Sequence, residues 1–355
     1  MAPVILSLRE ELWADVTILA TAQHRELLDQ VLDLFKIRVD IDLNVMRPNQ
    51  ALSDLTARLV GDLDQCFADI RPDAILVQGD TTTVMVAALA AFYRKIPFGH
   101  VEAGLRTGNM HNPFPEEMNR VLASHLARWH FAPTQSAKEN LLREGIPDTS
   151  ITVTGNTVID ALYSMSKQSE PFAPRVTPGR RLILVTAHRR ENFGKPLEDI
   201  CYAIQHLADS RPDVEFLYPV HPNPNVKCIV ERVLSGHQQV MLCEPLPYLP
   251  FVAAMKSAYF ILSDSGGVQE EAPALGKPIL VLRNETERPE AVDAGVAKLV
   301  GTSFDRIVRE STSLLDDEKA YQVMARGVSP YGDGNAASRI VSILKDSLVK
   351  KHDRA

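Results

Sequence analysis

The sequence predicts an α/β protein made of two doubly wound, Rossmann-like halves. Short runs of apolar and β-branched residues alternate with longer amphipathic stretches along its 355 residues. The short runs are apolar almost throughout, which is typical of parallel strands whose sheet is covered by helices on both faces. A chain of this length is long for one hydrophobic core and comfortable for two.

The candidate strands fall into two groups. The first group is Val16–Leu19, Ala74–Gln78, Phe98–Val101, Trp129–Phe131 and Ile151–Val153. The second group is Leu182–Thr186, Glu215–Pro219, Val240–Leu242, Tyr259–Ser263, Ile279–Leu282 and Lys298–Val300. Helical spacing is clearest over Ala51–Ile70, Thr82–Arg94, Glu116–Leu126, Leu197–Ala208 and Val226–Leu234. The alternation of strands and helices therefore breaks once, near the middle of the chain.

The break is the segment "SMSKQSEPFAPRVTPGRR", residues 164–181, which has three prolines and no steady hydrophobic period. We interpret it as a linker between an N-terminal domain, residues 1–163, and a C-terminal domain, residues 182–335. A final helical stretch, residues 336–355, fits either domain by its own pattern. The chain opens with a helical pattern, whereas a doubly wound half usually opens with its central strand, so either this half is built differently or its first strand is missing from this sequence.

Composition and charge argue against several classes of protein. A net charge of −7 and a pI near 5.8 argue against nucleic-acid and membrane-surface binding. Cys66, Cys201, Cys228 and Cys243 show no Cys-x-x-Cys spacing, which indicates reduced thiols and no metal site. No apolar run reaches the roughly 18 residues of a membrane span, and the first residues lack the basic start of a signal peptide. These features are typical of a cytoplasmic enzyme.

The stretch "SDSGGVQEEAPALGKP", residues 263–278, joins a predicted strand to a predicted helix through two glycines. Ser265, Gly266 and Gly267 open that helix, where glycines allow close approach to the backbone and free N–H groups favour a phosphate. A carboxylate one turn later, Glu270 or Glu271, can accept hydrogen bonds from ribose hydroxyls. The alternative is an ordinary tight turn followed by an acidic helix start.

Three carboxylates of the first half follow strands or begin a helix. Asp80 in "LVQGDTTTV" and Glu102 in "FGHVEAGLRTGN" follow consecutive strands, at the end where open α/β sheets bind ligands, and Glu116 in "NPFPEEMNR" begins a helix. Clustered carboxylates can supply both an acid and a base, and the lack of a His/Cys cluster favours that chemistry over a metal. The structural alternatives are an N-cap for Asp80, an ion pair of Glu102 with Arg106, and an ordinary acidic helix start.

Cationic side chains follow strands of the second half. "VTAHRREN" places His188, Arg189 and Arg190 at a strand end, which suits a diphosphate or a proton relay. Three further candidates follow later strands or begin a helix: His221, Phe251 and Arg288. Surface charge and core packing are the alternatives for these residues. Neither G-x-G-x-x-G nor a P-loop occurs in the sequence, which weakens dinucleotide and nucleoside-triphosphatase hypotheses.

Ten motifs follow one another along nearly the whole chain. They are "TAQHRELLDQ", "GDTTT", "GHVEAGLRTG", "PEEMNR", "GNTVIDAL", "AHRREN", "HPNPNV", "SDSGGVQEEAP", "GKPILVLR" and "TERPEA". In this order they resemble the non-hydrolysing UDP-N-acetylglucosamine 2-epimerases. The resemblance implies the glycosyltransferase-B fold, in which two Rossmann-like domains face a cleft. "YGDGNAASRI" resembles the family signature before a last helix that crosses back to the N-terminal domain.

The resemblance implies the reversible conversion of UDP-N-acetylglucosamine (UDP-GlcNAc) to UDP-N-acetylmannosamine (UDP-ManNAc), which supplies ManNAc units for surface polysaccharide. UDP is eliminated across C1–C2 to leave 2-acetamidoglucal, and it adds back as the proton returns to the opposite face of C2. No hydride moves in this reaction, so no cofactor is expected. Each positioned proton-transfer group can contribute roughly 10²–10⁴-fold.

The resemblance also assigns roles to individual positions. It implies catalysis by Asp80, Glu102, Glu116 and His188, without fixing which carboxylate is the acid and which the base. It implies substrate binding by Arg189, Phe251, Ser265, Gly266, Gly267, Glu271 and Arg288. It implies a second, allosteric site for UDP-GlcNAc at Gln23, His24 and His221, and it implies a homodimer.

The sequence departs from the family pattern at its start and in a short linker. Family members begin with a strand and a "GTRPEAIK"-like loop, whose Arg is expected to help bind UDP, and here "MAPVI" stands first. A catalytically impaired UDP-sugar binding protein is therefore one alternative function. A hydrolysing 2-epimerase that releases ManNAc and UDP is a second, and a glycosyltransferase is a third.

Overall fold

The structure is a computed structural model that describes residues 1–21, 25–47, 50–286 and 288–352. The chain divides into two compact units. Unit 1 is Met1–Ala161 with the described part of Gly332–Ala355, and unit 2 is Leu162–Tyr331. The segment interpreted as a linker, residues 164–181, lies in unit 2, where it includes a short 3₁₀ helix at Glu170–Phe172.

The helices and strands alternate along the chain as the sequence pattern predicts. The strands are β1 (Leu19–Ala20), β2 (Ile41–Asp42), β3 (Ile75–Gln78), β4 (Phe98–Val101), β5 (Trp129–Ala132), β6 (Ile151–Val153), β7 (Arg181–Thr186), β8 (Val214–Pro219), β9 (Val240–Cys243), β10 (Phe260–Ser263), β11 (Ile279–Val281) and β12 (Ala297–Leu299). The helices are α1 (Ala2–Arg9), α2 (Arg25–Leu34), α3 (Leu52–Ile70), α4 (Thr82–Tyr93), α5 (Glu116–Leu126), α6 (Gln135–Arg143), α7 (Thr157–Ser166), α8 (Lys195–Ser210), α9 (Pro224–Leu234), α10 (Tyr248–Ser257), α11 (Gly266–Ala274), α12 (Pro289–Asp293), α13 (Phe304–Asp316), α14 (Glu318–Met324) and α15 (Ala336–His352).

Unit 1 contains a four-stranded parallel sheet in the order β3-β4-β5-β6 and a separate parallel pair, β1-β2. Within the described residues no strand ladder joins the two sheets. The prediction of a strand at Val16–Leu19 was wrong by three residues, since β1 begins at Leu19, and β2 was not predicted. Strands of two residues are too short for a periodic pattern to indicate.

Unit 2 contains one six-stranded parallel sheet in the order β12-β11-β10-β7-β8-β9. This is the doubly wound order, in which the strand sequence reverses direction between β7 and β10. The register pairs Thr186 at the end of β7 with Ser263 at the end of β10. Ligands of open α/β sheets bind at such a reversal, outside the carboxyl ends of the strands. The topology therefore points to the residues that follow Thr186 and Ser263.

The C-terminal helix α15 packs within unit 1. Its sequence pattern alone fits either domain. Its buried Ile340 and Leu344 share a hydrophobic cluster with Val4 of α1 and Trp129 of β5. The Asp160 carboxylate accepts hydrogen bonds from the first amides of this helix, with Oδ1 2.9 Å from the nitrogen of Ala337.

Among the described helices, none combines the length and apolar character needed to cross a membrane.

Candidate active site

Two carboxylates of unit 1 follow neighbouring strands of its four-stranded sheet. Gln78 at the end of β3 is in register with Val101 at the end of β4, so Asp80 and Glu102 leave the sheet at the same edge. Glu102 has a φ of 66°, in the left-handed region that residues with a Cβ atom rarely adopt. Such a conformation costs about 1–3 kcal/mol and persists only where its surroundings fix it. Strain of this kind concentrates at functional sites.

Side-chain amides hold the Glu102 carboxylate on both oxygens. Gln78 Nε2 donates to Oε2 at 3.1 Å, and Asn156 Nδ2 donates to Oε1 at 3.4 Å. The main chain after Glu102 is fixed as well. Gly104 has a φ of 91° and packs so closely that a Cβ atom there would lie 2.2 Å from the carbonyl oxygen of Ala137. The position of Glu102 is therefore determined from both directions.

Arg106 does not pair with Glu102, so that structural alternative was wrong. Its guanidinium instead donates to both oxygens of Glu144, at 2.7 and 2.8 Å, and to the Ser124 hydroxyl at 3.1 Å. The bidentate geometry commits the Arg106 guanidinium to Glu144, which directly follows α6, and its third bond goes to Ser124 of α5. The hydrogen bonds to Glu102 come from side-chain amides, and the N-terminal ammonium of Met1 is a cation that interacts with this carboxylate.

A buried arginine links Asp80 to helix α5. Arg120 Nη2 lies 3.0 Å from Asp80 Oδ2, and Arg120 Nη1 lies 3.2 Å from Glu117 Oε2. Asn119 Nδ2 donates to the main-chain carbonyl of Asp80 at 2.9 Å. Glu117 in turn accepts hydrogen bonds from the amides of Thr107 and Gly108, at 2.9 and 3.0 Å, with its Oε1. This network fixes Asp80 and the loop after β4 to the same helix.

Glu116 is the first residue of α5 and is half-buried. It lies one turn before Asn119 and Arg120, and residues three and four apart share a face of a helix. Both of those residues contact Asp80. Unit 1 thus brings the three predicted carboxylates, Asp80, Glu102 and Glu116, to one edge of its sheet and the adjoining helix.

His100 at β4 is a structural residue. Its ring is fully buried, and Nε2 lies 2.7 Å from the carbonyl oxygen of Gly79, so this nitrogen carries the proton. Burial lowers the pKa of His100 to about 4. The ring is therefore neutral near pH 7, and its hydrogen bond fixes the turn that leads to Asp80.

A cavity of about 600 Å³ in unit 1 is distinct from this carboxylate group. It is lined by Arg106, Thr107, Gly108, Met110, Glu117, Val121, His125, Asn140, Arg143 and Glu144. Its buried charges are already paired, Arg106 with Glu144 and Glu117 with Arg120. Since Asp80, Glu102 and Glu116 are not among its lining residues, we place the candidate chemistry at the strand ends and not in this cavity.

In unit 2 the strand reversal brings together the two motifs that the sequence analysis singled out. His188 and Arg189 follow β7, and Ser265 follows β10. The fully buried Asp264 joins these turns, because its Oδ2 accepts from the amides of His188 and Arg189, both at 2.8 Å. Asn192 Nδ2 donates to the same oxygen at 3.0 Å.

The His188 ring stacks on the ring of His221, with centroids 5.5 Å apart and planes 9° from parallel. Partial burial lowers the pKa of His188, the nearby Asp264 carboxylate opposes this, and His221 and Arg189 lower the pKa further. His221 is exposed and accepts a hydrogen bond from the amide of Asn223 at 3.1 Å. The structure therefore places a predicted catalytic residue and a predicted allosteric residue in direct contact.

Helix α11 begins at Gly266 with Ser265 at its N-cap, as the sequence predicts. The Ser265 side chain makes no capping hydrogen bond, and the first turn has no acidic residue. Gly267 is exposed, and nothing lies within 4 Å of the point where its Cβ atom would be. An anion can therefore approach the first amides of this helix without steric hindrance from a side chain.

The two glutamates of α11 are buried and have different partners. Glu270 Oε1 accepts from Arg288 Nε at 2.5 Å, and Glu271 Oε1 accepts from the Tyr248 hydroxyl at 2.8 Å. Burial raises the pKa of Glu271 to about 7, although the bond from Tyr248 opposes the rise. Glu271 therefore changes charge near neutral pH. Of the two partners named above, the one that bonds Glu270 is a cation, Arg288, whereas the one that bonds Glu271 is a neutral hydroxyl.

We expect the stability of unit 2 to fall as pH rises from about 4.5 to about 7, and Glu271→Gln to abolish this fall. The folded state keeps the Glu271 proton up to about pH 7, whereas the unfolded chain loses it near 4.5. The unfolded state therefore binds fewer protons in this window, which makes the free energy of unfolding decrease with pH. The difference between 4.5 and 7 corresponds to roughly 3 kcal/mol.

Urea series that follow thiol labelling of the buried Cys201 measure the unfolding of unit 2. Wild type and variant are compared at each pH, so that the intrinsic reactivity of the thiol cancels. The exposed Glu244→Gln, with the same loss of charge, is the matched control and should keep the wild-type pH dependence. A Glu271→Gln profile parallel to wild type would contradict the assignment.

The remaining predicted residues lie at the positions that the sequence analysis gave them. Phe251 is half-buried in the first turn of α10, and Arg288 precedes α12. Gln23 and His24 lie outside the described residues. Among the described residues, no group of three or more His, Cys, Asp and Glu side chains is arranged to hold a metal ion.

Comparisons with known proteins agree over almost the full chain. A sequence profile of the UDP-N-acetylglucosamine 2-epimerase family matches residues 6–345. The UDP-N-acetylglucosamine 2-epimerase of Escherichia coli (strain K12) is 51% identical over 98% of this chain and 96% of its own length. The chain belongs to the UDP-N-acetylglucosamine 2-epimerase family.

Solved structures of this family confirm the predicted fold class. The crystal structure of UDP-GlcNAc 2-epimerase from Neisseria meningitidis, bound to UDP-GlcNAc, has a TM-score of 0.89 and 50% identity and covers 98% of this chain and 96% of that chain. The Methanocaldococcus jannaschii enzyme in complex with UDP-GlcNAc and UDP has a TM-score of 0.80 and 33% identity, with coverage of 97% and 95%. The family fold is the α/β glycosyltransferase-B type, as expected.

Several residues of this family member that support the site were not singled out by the sequence analysis. They are Gln78, Glu117, Arg120, Asn156, Tyr248 and Asp264. Four of them occur inside the ten quoted motifs, and two of these, Glu117 and Asp264, are directly beside a candidate. A search for amide, acidic or cationic neighbours of each candidate carboxylate and histidine would have found them. Their partners, however, come from distant parts of the chain.

Proposed function

We propose that this protein interconverts UDP-GlcNAc and UDP-ManNAc without net hydrolysis. The Glu102 carboxylate carries the proposal, because it is held in a strained backbone conformation and bonded by Gln78 and Asn156. Membership of the family and 51% identity to the E. coli epimerase support the substrate class. The complex of the N. meningitidis enzyme with UDP-GlcNAc supports a nucleotide sugar as the ligand.

The proposed reaction is an elimination followed by an addition. A carboxylate of unit 1 removes the C2 proton of the sugar, the C1–O bond breaks with its electron pair on UDP, and a C1–C2 double bond forms. UDP then adds back to C1 while a second group delivers a proton to the opposite face of C2. Asp80, Glu102 and Glu116 are the candidates for the two proton transfers, each worth roughly 10²–10⁴-fold. ManNAc units for surface polysaccharide are the proposed end use.

Unit 2 has the groups that suit UDP. The uncapped first turn of α11 favours a diphosphate, although the dipole alone contributes only about 0.3–1 kcal/mol. His188 and Arg189 follow the adjacent strand and can offset the charge of departing UDP. Glu271 is proposed to accept from the ribose, and Phe251 and Arg288 are proposed to lie near the uridine. Several hydrogen bonds together then supply the affinity that a helix N-terminus alone does not.

A proton NMR time course with UDP-GlcNAc in D₂O tests the proposal. We expect UDP-ManNAc with deuterium at C2, together with deuterium appearing in the remaining UDP-GlcNAc, because the proton leaves and returns from solvent. Accumulation of free ManNAc and UDP would replace the proposal with a hydrolysing 2-epimerase. An unchanged spectrum, with saturation transfer showing bound ligand, would replace it with a UDP-sugar binding protein. Transfer of GlcNAc to an added acceptor would indicate a glycosyltransferase.

We also propose that UDP-GlcNAc activates the enzyme from a second site that includes His221, and that the enzyme is a homodimer. The stacking of His221 on His188 supports the first part, because a ligand that contacts His221 also reaches a candidate catalytic ring. UDP-ManNAc as the only substrate should then react with a lag that a trace of UDP-GlcNAc removes. If the His221 ring transmits the effect, His221→Ala should keep the slow initial rate throughout, and added UDP-GlcNAc should not raise it. Sedimentation equilibrium tests the dimer.

A further inference from the structure

A buried carboxylate joins the two turns that follow β7 and β10. Asp264 has no exposed surface, and its Oδ2 accepts three hydrogen bonds, from the amides of His188 and Arg189 and from Asn192 Nδ2. Asn192 also donates to the carbonyl of Leu282 at 3.2 Å, which ties this turn to the end of β11. All of these partners are main-chain or amide groups, so the charge of Asp264 is not cancelled by them.

The second carboxylate oxygen faces the histidine. Asp264 Oδ1 has no hydrogen bond among the described residues and lies 3.5 Å from His188 Nδ1. In the described part of the chain no lysine or arginine forms an ion pair with Asp264, and a buried carboxylate oxygen without a partner is costly. Among the described residues, the side chain recorded beside Oδ1 is the His188 ring, which satisfies it when the ring proton is on Nδ1. That tautomer leaves Nε2 as the nitrogen that can exchange a proton.

Asp264 also adjoins the turn at the start of α11 that is proposed to bind the diphosphate. Asp264 directly precedes Ser265, whose amide donates to Ser263 Oγ at 3.0 Å. Ser263 Oγ lies 2.6 Å from Thr186 Oγ1, so the ends of β7 and β10 are also joined by their side chains. The Tyr218 hydroxyl donates to the carbonyl of Ala187 at 3.0 Å and braces the chain just before His188. The ring of His188 is thus oriented by groups that also shape the start of α11.

We propose that Asp264 is a positioning residue that fixes the tautomer of His188 and couples its protonation to diphosphate binding at α11. This inference rests on the proposed function of the site. The charged and titratable groups that face His188 are Asp264, Arg189 and His221. Asp264 is the one negative charge among these three, and it favours the imidazolium, whereas the other two disfavour it. A diphosphate that enters adds negative charge, so His188 gains its proton as UDP binds and retains it while UDP departs.

Asp264→Asn separates the charge of this residue from its shape. The amide oxygen of asparagine can accept the three bonds now made to Oδ2, and its NH₂ group then faces His188 Nδ1. A donor in that place requires an unprotonated Nδ1 and moves the proton to Nε2. Ring ¹⁵N shifts of the ligand-free protein should show Nδ1–H in wild type and Nε2–H in the variant. The pKa of His188 in the variant should be lower by on the order of one unit.

UDP binding supplies a second readout that turnover does not affect. The affinity of wild type for UDP should fall as pH rises through the pKa of His188. In Asp264→Asn this fall should begin at a lower pH, and the difference should equal the shift in the pKa of His188. Asp209→Asn is the matched control, since Asp209 pairs with His237 at 2.8 Å on the surface and loses the same charge. The control should leave the His188 titration and the UDP profile unchanged.

Wild type alone also tests the proposal, in case Asp264→Asn does not fold. The ¹³Cγ signal of Asp264 should shift with the same midpoint as the His188 ring, because the two groups face each other at 3.5 Å. An Asp264 signal that ignores the His188 titration, or a folded variant with the wild-type tautomer and pKa, would overturn the inference. If these readouts behave as expected but no deuterium enters C2, only the proposed function fails.

Discussion

Glu102→Gln should lower the rate of deuterium incorporation at C2 of UDP-GlcNAc by about 10²–10⁴-fold, with little change in UDP affinity. The substitution keeps the size of the side chain, and its amide oxygen can still accept from Gln78 Nε2. It removes the capacity to take or give a proton, and it replaces the oxygen that accepts from Asn156 Nδ2 with an NH₂ group. UDP is proposed to bind to residues of unit 2, so its affinity should not depend on this carboxylate. Quenched-flow NMR of C2 exchange and calorimetry of UDP measure the two effects.

Three comparisons sharpen this experiment. Glu139→Gln on α6 is the matched control, because Glu139 is exposed and loses the same charge. Asp80→Asn and Glu116→Gln, each measured from both UDP-GlcNAc and UDP-ManNAc, show which carboxylate acts on which face, since an acid for one direction is the base for the other. Exchange at the wild-type rate in Glu102→Gln would remove Glu102 from the reaction and leave its strained backbone without a catalytic purpose.

The sequence predicts the strand ends well because the local signal there is strong. β4 and β10 are short buried strands that are followed by or end at a polar residue, and α11 starts at a pair of glycines. Such signals lie within a few neighbouring residues, so no knowledge of tertiary contacts is needed. The pair β1-β2 is the opposite case. Each strand has two residues, and its pairing, not its composition, defines it.

The partners of the candidate side chains could not be predicted in the same way. Asp264 reaches His188 across 76 residues of sequence, and Arg106 finds Glu144 at a distance of 38 residues rather than Glu102 at four. The pairing of Arg106 with Glu102 was predicted because the two residues are close in sequence, and that was why it was wrong. A doubly wound sheet brings together the ends of strands that are remote in sequence, so the residues that orient a site come from several motifs at once. The sequence names the candidates, and the topology decides their contacts.

The largest stability effect is expected from Arg120→Met, which should lower the free energy of unfolding of unit 1 by about 3–5 kcal/mol. The Arg120 guanidinium bridges Asp80 and Glu117, and the Glu117 side chain is only 2% exposed. Without the arginine, Glu117 remains as a buried carboxylate with two amide donors and no cation. Both tryptophans, Trp13 and Trp129, belong to unit 1, so their fluorescence in urea reports the unfolding of this unit alone.

A double-mutant cycle shows whether the cost comes from the unpaired charge. Arg120→Met combined with Glu117→Gln should recover part of the loss, because the neutral amide no longer needs a cation and can still accept from Thr107 and Gly108. Arg94→Met, which breaks a surface pair with Asp64, is the matched control and should leave the urea midpoint unchanged. If Arg120→Met behaves like that control, the buried network does not hold α5 against the sheet. The alignment of Asp80 with Glu116 would then have to come from the hydrogen bond of Asn119 to the Asp80 main chain.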